Sequence, residues 1–320
     1  MTLHGEEWRR NELENYSAVT RTQVAVRLGE GNTPPRRLEQ AKLAVRGVSK
    51  HFRVRGGQLE ALTNVTLSVH RGEFICLVGP SGCGKSTLLS IVAGLEHPSR
   101  GQVFADGRLI EGPGPDRIIM FQEPALFPWL TVQQNVAFGL RIRGLGREER
   151  ALRALEGLRQ VGLSEFARSY VHQLSGGMKQ RAALARALVL DPDMLLLDEP
   201  FASLDLQSRD LLHEELLQVW ARTGKTILFV THQVPEALSL ADRIVVFSPR
   251  PGRVVREYLV HAPRPRPIEQ GALRELGEEI RHELRMAFTP PFEGGGNEDA
   301  WQSEKGYLLP GADCPMGTGV

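Results

Sequence analysis

The sequence has no apolar run long enough for a membrane-spanning helix, because no stretch approaches the roughly 18 residues that such a helix needs. The first ten residues, MTLHGEEWRR, carry charges where a secretory signal peptide needs an apolar segment. We therefore expect the protein to be made in the cytosol and not to cross the bilayer by itself. These features do not exclude that the protein docks onto a membrane protein.

The sequence also has only three cysteines and a formal net charge of +1. The three cysteines, Cys76, Cys83 and Cys314, are scattered and odd in number, so the sequence predicts neither a cysteine metal site nor a disulfide framework. A reducing cytosol is the better interpretation. The 39 Lys and Arg residues nearly balance the 38 Asp and Glu residues, which gives no whole-chain argument for binding nucleic acid or an anionic membrane surface.

What the sequence does contain is a glycine-rich loop. Residues Gly79–Thr87 read GPSGCGKST and fit the phosphate-binding pattern G-x-x-x-x-G-K-[ST]. The apolar run Phe74–Val78 before it predicts a buried strand, and Thr87–Ala93 predicts the start of a helix. A glycine-rich turn would match this pattern by accident on the order of one time in a hundred in a chain of this length.

The residue types of the loop suit a bound phosphate. Glycines let successive backbone N–H groups face one anion, at the positive end of the following helix. Lys85 adds a mobile charge for the outer phosphates, and the Ser86 hydroxyl suits a Mg²⁺ ligand. Cys83 lies at a variable position of the motif, and the simpler interpretation is that its small side chain only fills space. The predicted nucleotide-binding residues here are Gly79, Pro80, Ser81, Gly82, Cys83, Gly84, Lys85, Ser86 and Thr87.

Secondary-structure patterns change along the chain. Alternating residues predict two half-buried strands around Leu43 and Val65–Val69, with Val48–Phe52 lying between them. Residues 102–110 favour a hairpin with an Asp-Gly turn, and residues 131–190 are rich in helix formers. Strands and helices alternate from Met194 onward, which favours a mainly parallel sheet. One buried helical face is predicted to carry Leu152, Leu155, Leu158 and Val161.

Five stretches follow the loop in a defined order. They are Phe121–Pro124 (FQEP), Leu174–Met178 (LSGGM), Met194–Glu199 (MLLLDE), Ser203–Asp205 (SLD) and Thr231–His232 (TH). With the phosphate loop, they resemble the ATP-binding-cassette (ABC) ATPase domain over roughly residues 43–260. The resemblance implies an α/β fold, in which a P-loop NTPase core with a mixed or parallel sheet carries an antiparallel β-subdomain and an inserted helical subdomain.

One segment narrows the resemblance. Residues Phe121–Leu140 resemble the nitrate/sulfonate/taurine branch of bacterial importers, as does Met178 in a position where Gln is commoner. This implies a subunit that binds and hydrolyses ATP to energise a membrane importer of an anionic solute such as sulfonate, taurine or nitrate. An importer ATPase for another small solute stays open, as do a soluble non-transport ABC ATPase and a nucleotide-binding regulator.

The resemblance assigns catalytic and metal-binding roles. Asp198 is expected to hold Mg²⁺ through its water shell together with Ser86, and Glu199 to accept a proton from the attacking water or to orient it. Gln122 is expected to reach both Mg²⁺ and that water, and His232 to contact the γ-phosphate. The simpler alternatives are a cap on the next segment for the Asp-Glu pair, a satisfied polar residue for Gln122, and a structural histidine.

The resemblance also assigns residues to the base and to a second subunit. Phe52 is expected to stack on adenine, although a core position is the alternative. Ser175, Gly176 and Gly177 open a helix and form a second anion site, which serves the ATP of a partner chain in a head-to-tail homodimer. Asp205 is expected at that dimer interface. The chain departs from the family pattern at Gln233, where Asp is usual.

The implied partners are transmembrane permease subunits and, indirectly, a periplasmic or lipid-anchored solute-binding protein, with no nucleic acid. The implied location is the cytoplasmic face of the cell membrane, reached through the permease. The apolar cluster Phe127–Leu130 is a candidate docking surface, with a core cluster as the alternative.

The predicted organisation has four parts. A flexible extension covers residues 1–40, and the ABC ATPase domain covers 41–262 with its helical subdomain at about 125–190. A linker and helix follow at 263–289, and a disordered tail at 290–320. We expect no β-rich regulatory domain at the C-terminal end.

Overall fold

The computed structural model describes residues 41–288, and its strands form two sheets. The strands are β1 (Leu43–Val54), β2 (Gly57–Val69), β3 (Phe74–Val78), β4 (Arg100–Ala105), β5 (Arg108–Leu109), β6 (Arg117–Met120), β7 (Met194–Asp198), β8 (Thr226–Thr231), β9 (Arg243–Phe247) and β10 (Val254–Leu259). The helices are α1 (Lys85–Ala93), α2 (Val132–Ile142), α3 (Arg147–Gln160), α4 (Gly176–Leu188), α5 (Leu206–Thr223), α6 (Val234–Leu240) and α7 (Gly271–Phe288). The predicted extension at 1–40 and tail at 290–320 lie outside the described residues.

The larger sheet has six strands in the order β10-β9-β3-β8-β7-β6. The neighbours β9-β3-β8-β7-β6 run parallel, and β10 pairs antiparallel with β9 at the edge. Strand β3 is hydrogen-bonded to β8 on one side and to β9 on the other. The predicted strand before the phosphate loop is therefore a central strand, and the predicted parallel sheet is confirmed.

The smaller sheet is antiparallel, with the order β2-β1-β4-β5. The predicted hairpin is confirmed, since β4 and β5 are joined at Asp106 and Gly107. The interpretation of Val48–Phe52 as a segment between two strands was wrong, because these residues continue β1. Register shifts between Val45 and His51 break the strict alternation of apolar residues there, which hid the strand in the sequence.

Both faces of the larger sheet are buried. Along β3, Phe74, Cys76 and Val78 point into one apolar cluster, and Ile75 and Leu77 into another. The second cluster lies between the two sheets around α1, and the first is shared with helices α2 to α7. This burial on both sides explains why the strand is continuously apolar rather than alternating.

The helices between β6 and β7 begin with a well-ordered turn. The Asn135 side chain is fully buried and holds the Phe127 backbone through its amide, accepting from the N–H at 2.7 Å and donating to the C=O at 3.1 Å. Thr131 and Gln134 form a capping box at the start of α2. The segment before α2 is therefore fixed in place by the helix itself.

The C-terminal helix α7 packs on the core. Leu273, Leu276 and Ile280 of α7 are buried in the first apolar cluster. Within the described part of the chain, no helix combines the length and apolarity that crossing a bilayer requires.

The predicted apolar face of α3 was wrong at one position. Leu158 and Val161 are buried and Leu155 is half-buried, but the Leu152 side chain is 69% exposed. A helix turns about 100° per residue, so six residues place Leu152 and Leu158 roughly 120° apart. Residues spaced three apart therefore shift by about 60° around the helix at each step, and within two turns they no longer face the core.

This pair gives a direct test of the packing. Replacing Leu158 with Ala should lower the free energy of unfolding by about 2–5 kcal/mol, because it opens a cavity in the core. Replacing Leu152 with Ala on the same helix should change it by less than about 0.5 kcal/mol. Urea denaturation of both variants measures the difference, and equal losses would contradict the assigned helix orientation.

Candidate active site

The carboxyl ends of the parallel strands meet at one edge of the larger sheet, where a cleft of about 620 Å³ opens. The loops after β3, β6, β7, β8 and β9 all contribute to it. The cleft is lined by Phe52, Leu59, Ala61, Ser81, Gly82, Gly84, Lys85, Ser86, Thr87, Gln122, Glu199, Ala202, His232 and Arg250.

The phosphate loop is built around Lys85, which is almost fully buried. Its ammonium donates hydrogen bonds to the carbonyls of Gly79 at 2.8 Å and Pro80 at 2.9 Å, so the charge sits inside the curve of the loop. Gly84 has φ 104°, and a Cβ there would lie 2.6 Å from the Ala61 carbonyl. Only glycine fits this position, which explains its place in the motif.

Cys83 occupies the loop as a buried residue, with its sulfur 3.7 Å from the Lys85 ammonium. Burial raises the pKa of its thiol, against the effect of the neighbouring Lys85 charge. The side chain packs in the second apolar cluster, where it fills space between apolar neighbours.

Ser86 and Asp198 converge beside the loop. The Ser86 hydroxyl donates a hydrogen bond of 2.9 Å to Asp198 Oδ1. Burial raises the pKa of the Asp198 carboxyl; the Ser86 hydrogen bond lowers it, and the Glu199 charge raises it further. A buried carboxylate next to a hydroxyl oxygen suits a small divalent cation, whose charge offsets the cost of burial.

This donor set fits Mg²⁺ better than a metal held by protein ligands alone. Among residues 41–288, no group of three or more His, Cys, Asp or Glu side chains converges on a common point. Mg²⁺ characteristically keeps several waters and binds through one or two protein oxygens plus phosphate oxygens. The Ser86 and Asp198 oxygens match that requirement.

Glu199 and His232 are held together at the ends of adjacent strands. His232 Nδ1 lies 2.9 Å from Glu199 Oε2. The Glu199 backbone adopts φ 44°, and its N–H donates to the Val230 carbonyl at 3.0 Å. A left-handed conformation at a residue other than glycine is strained, and such strain clusters at functional sites. The Glu199 carboxylate contacts His232, and both residues line the cleft.

Gln122 lines the cleft and connects it to the helical region. Its backbone carbonyl accepts a hydrogen bond of 2.9 Å from the Gln180 side chain of α4. Arg186, also on α4, donates to the carbonyls of Pro124 and Ala125 at 2.8 Å each. The segment that carries Gln122 is therefore attached to α4 at three backbone carbonyls within four residues.

Phe52 lines the cleft together with the apolar residues Leu59 and Ala61. Its ring is half-buried and belongs to neither core cluster, which argues against the core interpretation. The Lys50 ammonium lies 4.9 Å from the centre of the ring. One face of the ring is thus covered by a cation, and the site offers an aromatic surface for a flat base.

Eight predicted site residues do not line the cleft. Gly79, Pro80, Cys83 and Asp198 lie directly behind lining residues of the phosphate loop, and the other four begin two helices. Ser175 caps α4 by accepting from the Met178 N–H, and Gly176 and Gly177 form the first turn of that helix. Asp205 caps α5 by accepting from the Ser208 N–H at 3.0 Å. These two helix starts adjoin, since a Cβ on Gly177 would lie 3.7 Å from Ser208 Cβ.

Sequence reasoning missed Leu59, Ala61, Ala202 and Arg250. The first three contribute apolar or backbone surface, which no motif marks. Arg250 follows the carboxyl end of β9, and that position was the available signal, because the other functional loops follow the ends of its parallel neighbours.

Comparison with known proteins gives consistent matches. The model of the family described as "ABC transporter" matches residues 62–202. The taurine import ATP-binding protein TauB of Pseudomonas aeruginosa is 48% identical over 241 residues, covering 75% of this chain and 89% of that protein. The nitrate import ATP-binding protein NrtD of Synechocystis sp. is 46% identical over 221 residues, covering 69% and 83%.

Solved structures of ATP-binding cassettes are also similar to this chain. A dimeric ATP-binding cassette in a post-hydrolysis state with ADP and Pi superposes with a TM-score of 0.63 at 33% identity. The match covers 69% of this chain and all of that one.

The buried Asp198 charge predicts an effect on stability. Its carboxyl pKa is raised in the folded state, so ionisation at neutral pH disfavours folding. Asp198→Asn should therefore raise the melting temperature at pH 7 without nucleotide or Mg²⁺, as measured by scanning fluorimetry in EDTA. The gain should disappear as pH falls below the ordinary carboxyl range, about 3.9.

Asp193, just before the same strand, is the matched control. The hydrogen bond from Lys42 lowers the pKa of the Asp193 carboxyl, so its ionised form favours folding above the unfolded pKa. Asp193→Asn should lower the melting temperature at pH 7, and this loss should also fade at low pH. Shifts of the same sign in the two variants would contradict this assignment.

Proposed function

The chain belongs to the ABC transporter family, and from this membership we propose that it is the ATP-binding and ATP-hydrolysing subunit of a membrane importer. The observation that carries the proposal is the single cleft where the phosphate loop, the Ser86–Asp198 pair and the Glu199–His232 pair meet. No one of these features specifies the reaction, but together they supply phosphate binding, cation binding and a base.

The chain's own groups divide the work of hydrolysis. Lys85 and the loop N–H groups hold the phosphates, and Phe52 offers a stacking surface to the adenine. Glu199 accepts a proton from water as the water oxygen attacks the γ-phosphorus and the bond to the β-phosphate oxygen breaks, leaving ADP and phosphate. Ser86, Asp198 and Gln122 would hold Mg²⁺, which supplies neutralisation of phosphate charge.

His232 positions the base and contacts the γ-phosphate. Its Nδ1 lies against the Glu199 carboxylate, which leaves Nε2 as the nitrogen for the phosphate. The contact also explains how Glu199 is held in a strained backbone conformation with its side chain in one orientation.

The site is completed by a second copy of the chain. Ser175, Gly176 and Gly177 form the start of a 13-residue helix and do not line the cleft of their own chain. A head-to-tail dimer brings this helix start to the partner's nucleotide, with Asp205 at the interface. The dimeric solved cassette with ADP and Pi supports this arrangement.

The permease docks beside Gln122. Trp129 is 71% exposed and lies 5.5 Å from Phe127, ring centre to ring centre, on the turn that Asn135 holds. An exposed tryptophan that packs on a half-buried phenylalanine, next to the segment attached to α4, is a suitable contact for a membrane partner. Through it the chain is located at the cytoplasmic face of the membrane, with a solute-binding protein as a further, indirect partner.

The imported solute is a small anion. Two relatives are named for taurine import and nitrate import, and the match with this chain covers more than four fifths of the length of each. Their names support a sulfonate or nitrate as the class of solute. Selectivity for the individual solute lies with the membrane and solute-binding subunits.

Glu199→Gln tests the catalytic assignment. The variant should lose roughly 10²- to 10⁴-fold in ATPase rate, because the amide cannot accept the proton, yet it should still bind ATP. It should also dimerise with Mg-ATP, which light scattering after size exclusion measures. Near-normal hydrolysis would remove Glu199 from its role, and a monomer at saturating Mg-ATP would contradict the shared site.

Trp129→Ala tests the docking surface. ATPase activity of the isolated chain should stay normal, while solute uptake by vesicles that contain the chain assembled with its permease should fall several-fold. Leu152→Ala is the matched control, since its side chain is similarly exposed but lies on α3 and not on the turn that carries Trp129. Uptake equal to that of the control would place docking elsewhere.

A further inference from the structure

The turn between β9 and β10 has a shape set by its own hydrogen bonds. The Ser248 N–H donates to the Arg253 carbonyl at 3.0 Å, and the Arg253 N–H donates to the Ser248 hydroxyl at 3.1 Å. The same hydroxyl lies 2.9 Å and 3.0 Å from the carbonyls of Pro249 and Pro251. Ser248 is buried, so the turn is closed around an internal polar centre.

This turn is also attached to the nucleotide cleft. The Gly252 N–H donates to the Ala61 carbonyl at 2.9 Å, and the Thr63 N–H donates to the Gly252 carbonyl at 3.0 Å. A Cβ on Gly252 would lie only 1.9 Å from the Cys83 carbonyl, so the turn is packed directly on the backbone of the phosphate loop. The position of the turn is therefore fixed relative to bound phosphates.

Arg250 is the residue that this turn presents to the cleft wall. It is exposed, and within the described part of the chain its guanidinium makes no hydrogen bond or ion pair. Arg243, at the start of β9, contrasts with it, because that side chain is paired with Glu73 and Glu257. A guanidinium without a protein partner, on the wall of a polyphosphate cleft, is available for a ligand.

We propose that Arg250 is an additional nucleotide-binding residue whose guanidinium pairs with the phosphates of ATP held on the phosphate loop. The inference rests on the proposed function, since it assumes ATP in this cleft. Guanidinium binds phosphate oxygens through paired N–H donors, a geometry that the Lys85 ammonium cannot supply. The rigid attachment of the turn at Gly252 reduces the ordering cost of that contact.

Arg250→Ala tests the proposal by calorimetric titration of the full chain with Mg-ATP and Mg-ADP. Binding of both nucleotides should weaken roughly 3- to 10-fold, as expected for one partly exposed charge-assisted contact. The salt dependence of binding should become shallower, because one ionic contact is lost. Arg250→Lys should fall between the wild type and Arg250→Ala, since it keeps the charge but not the paired donors.

Arg253→Ala is the matched control. Arg253 is an exposed arginine of the same turn and does not line the cleft, so its replacement should leave nucleotide affinity and salt dependence unchanged. Equal affinities for the Arg250→Ala and Arg253→Ala variants would overturn the proposal. Weaker binding with an unchanged salt dependence would also overturn it, because the contact would then not be with phosphate.

Lys85→Ala separates the two levels of inference. If the wild type binds Mg-ATP and Lys85→Ala abolishes binding while Arg250→Ala has no effect, only the role of Arg250 fails. If the wild type itself does not bind Mg-ATP, the proposed function fails. Thermal unfolding of each variant establishes that the fold is retained in the comparison.

Discussion

The parallel pairing of β3 with β8 on one side and β9 on the other is the constraint on which the site depends. Parallel strands deliver their carboxyl ends to the same edge of a sheet, so every loop that leaves this edge starts beside the phosphate loop. Burial on both faces fixes the register, because a slip of one residue would exchange the two apolar clusters. The sheet thus brings residues that are far apart in the sequence side by side along one edge.

Several groups in that row work against stability. Asp198 is ionisable and buried, Glu199 occupies a left-handed conformation, and the Lys85 charge is withdrawn into the loop. Each arrangement costs free energy in the isolated chain and prepares charge or geometry for a ligand. The surrounding apolar core offsets these costs, which is consistent with a rigid scaffold under a preorganised site.

The parts of the fold with simple periodicity could be predicted from the sequence. Local sequence patterns are enough to predict three elements that the structure contains. They are the apolar strand at Phe74–Val78, the phosphate loop and the Asp106-Gly107 hairpin. The failures have physical causes. Register shifts interrupt the alternation along β1, and three-residue spacing drifts off a helical face before Leu152 reaches the core. Arg250 was missed because its role depends on which strand β9 pairs with, and that is a tertiary fact.

The separation of the helix start at Ser175 from the chain's own cleft has a mechanical consequence. Gln180 and Arg186 lie on α4, the helix that Ser175 caps, and they hold the backbone of the Gln122 segment. In the proposed dimer this helix would present its start to the partner's nucleotide, and along its length it is hydrogen-bonded to the segment that lines its own cleft. In the proposed dimer, closure on ATP cannot move one without pulling the other, and the turn bearing Trp129 follows the same segment. Motion of α4 would therefore reach both nucleotide sites and, through the segment from Gln122 to Ala125, the start of the docking turn that Asn135 holds.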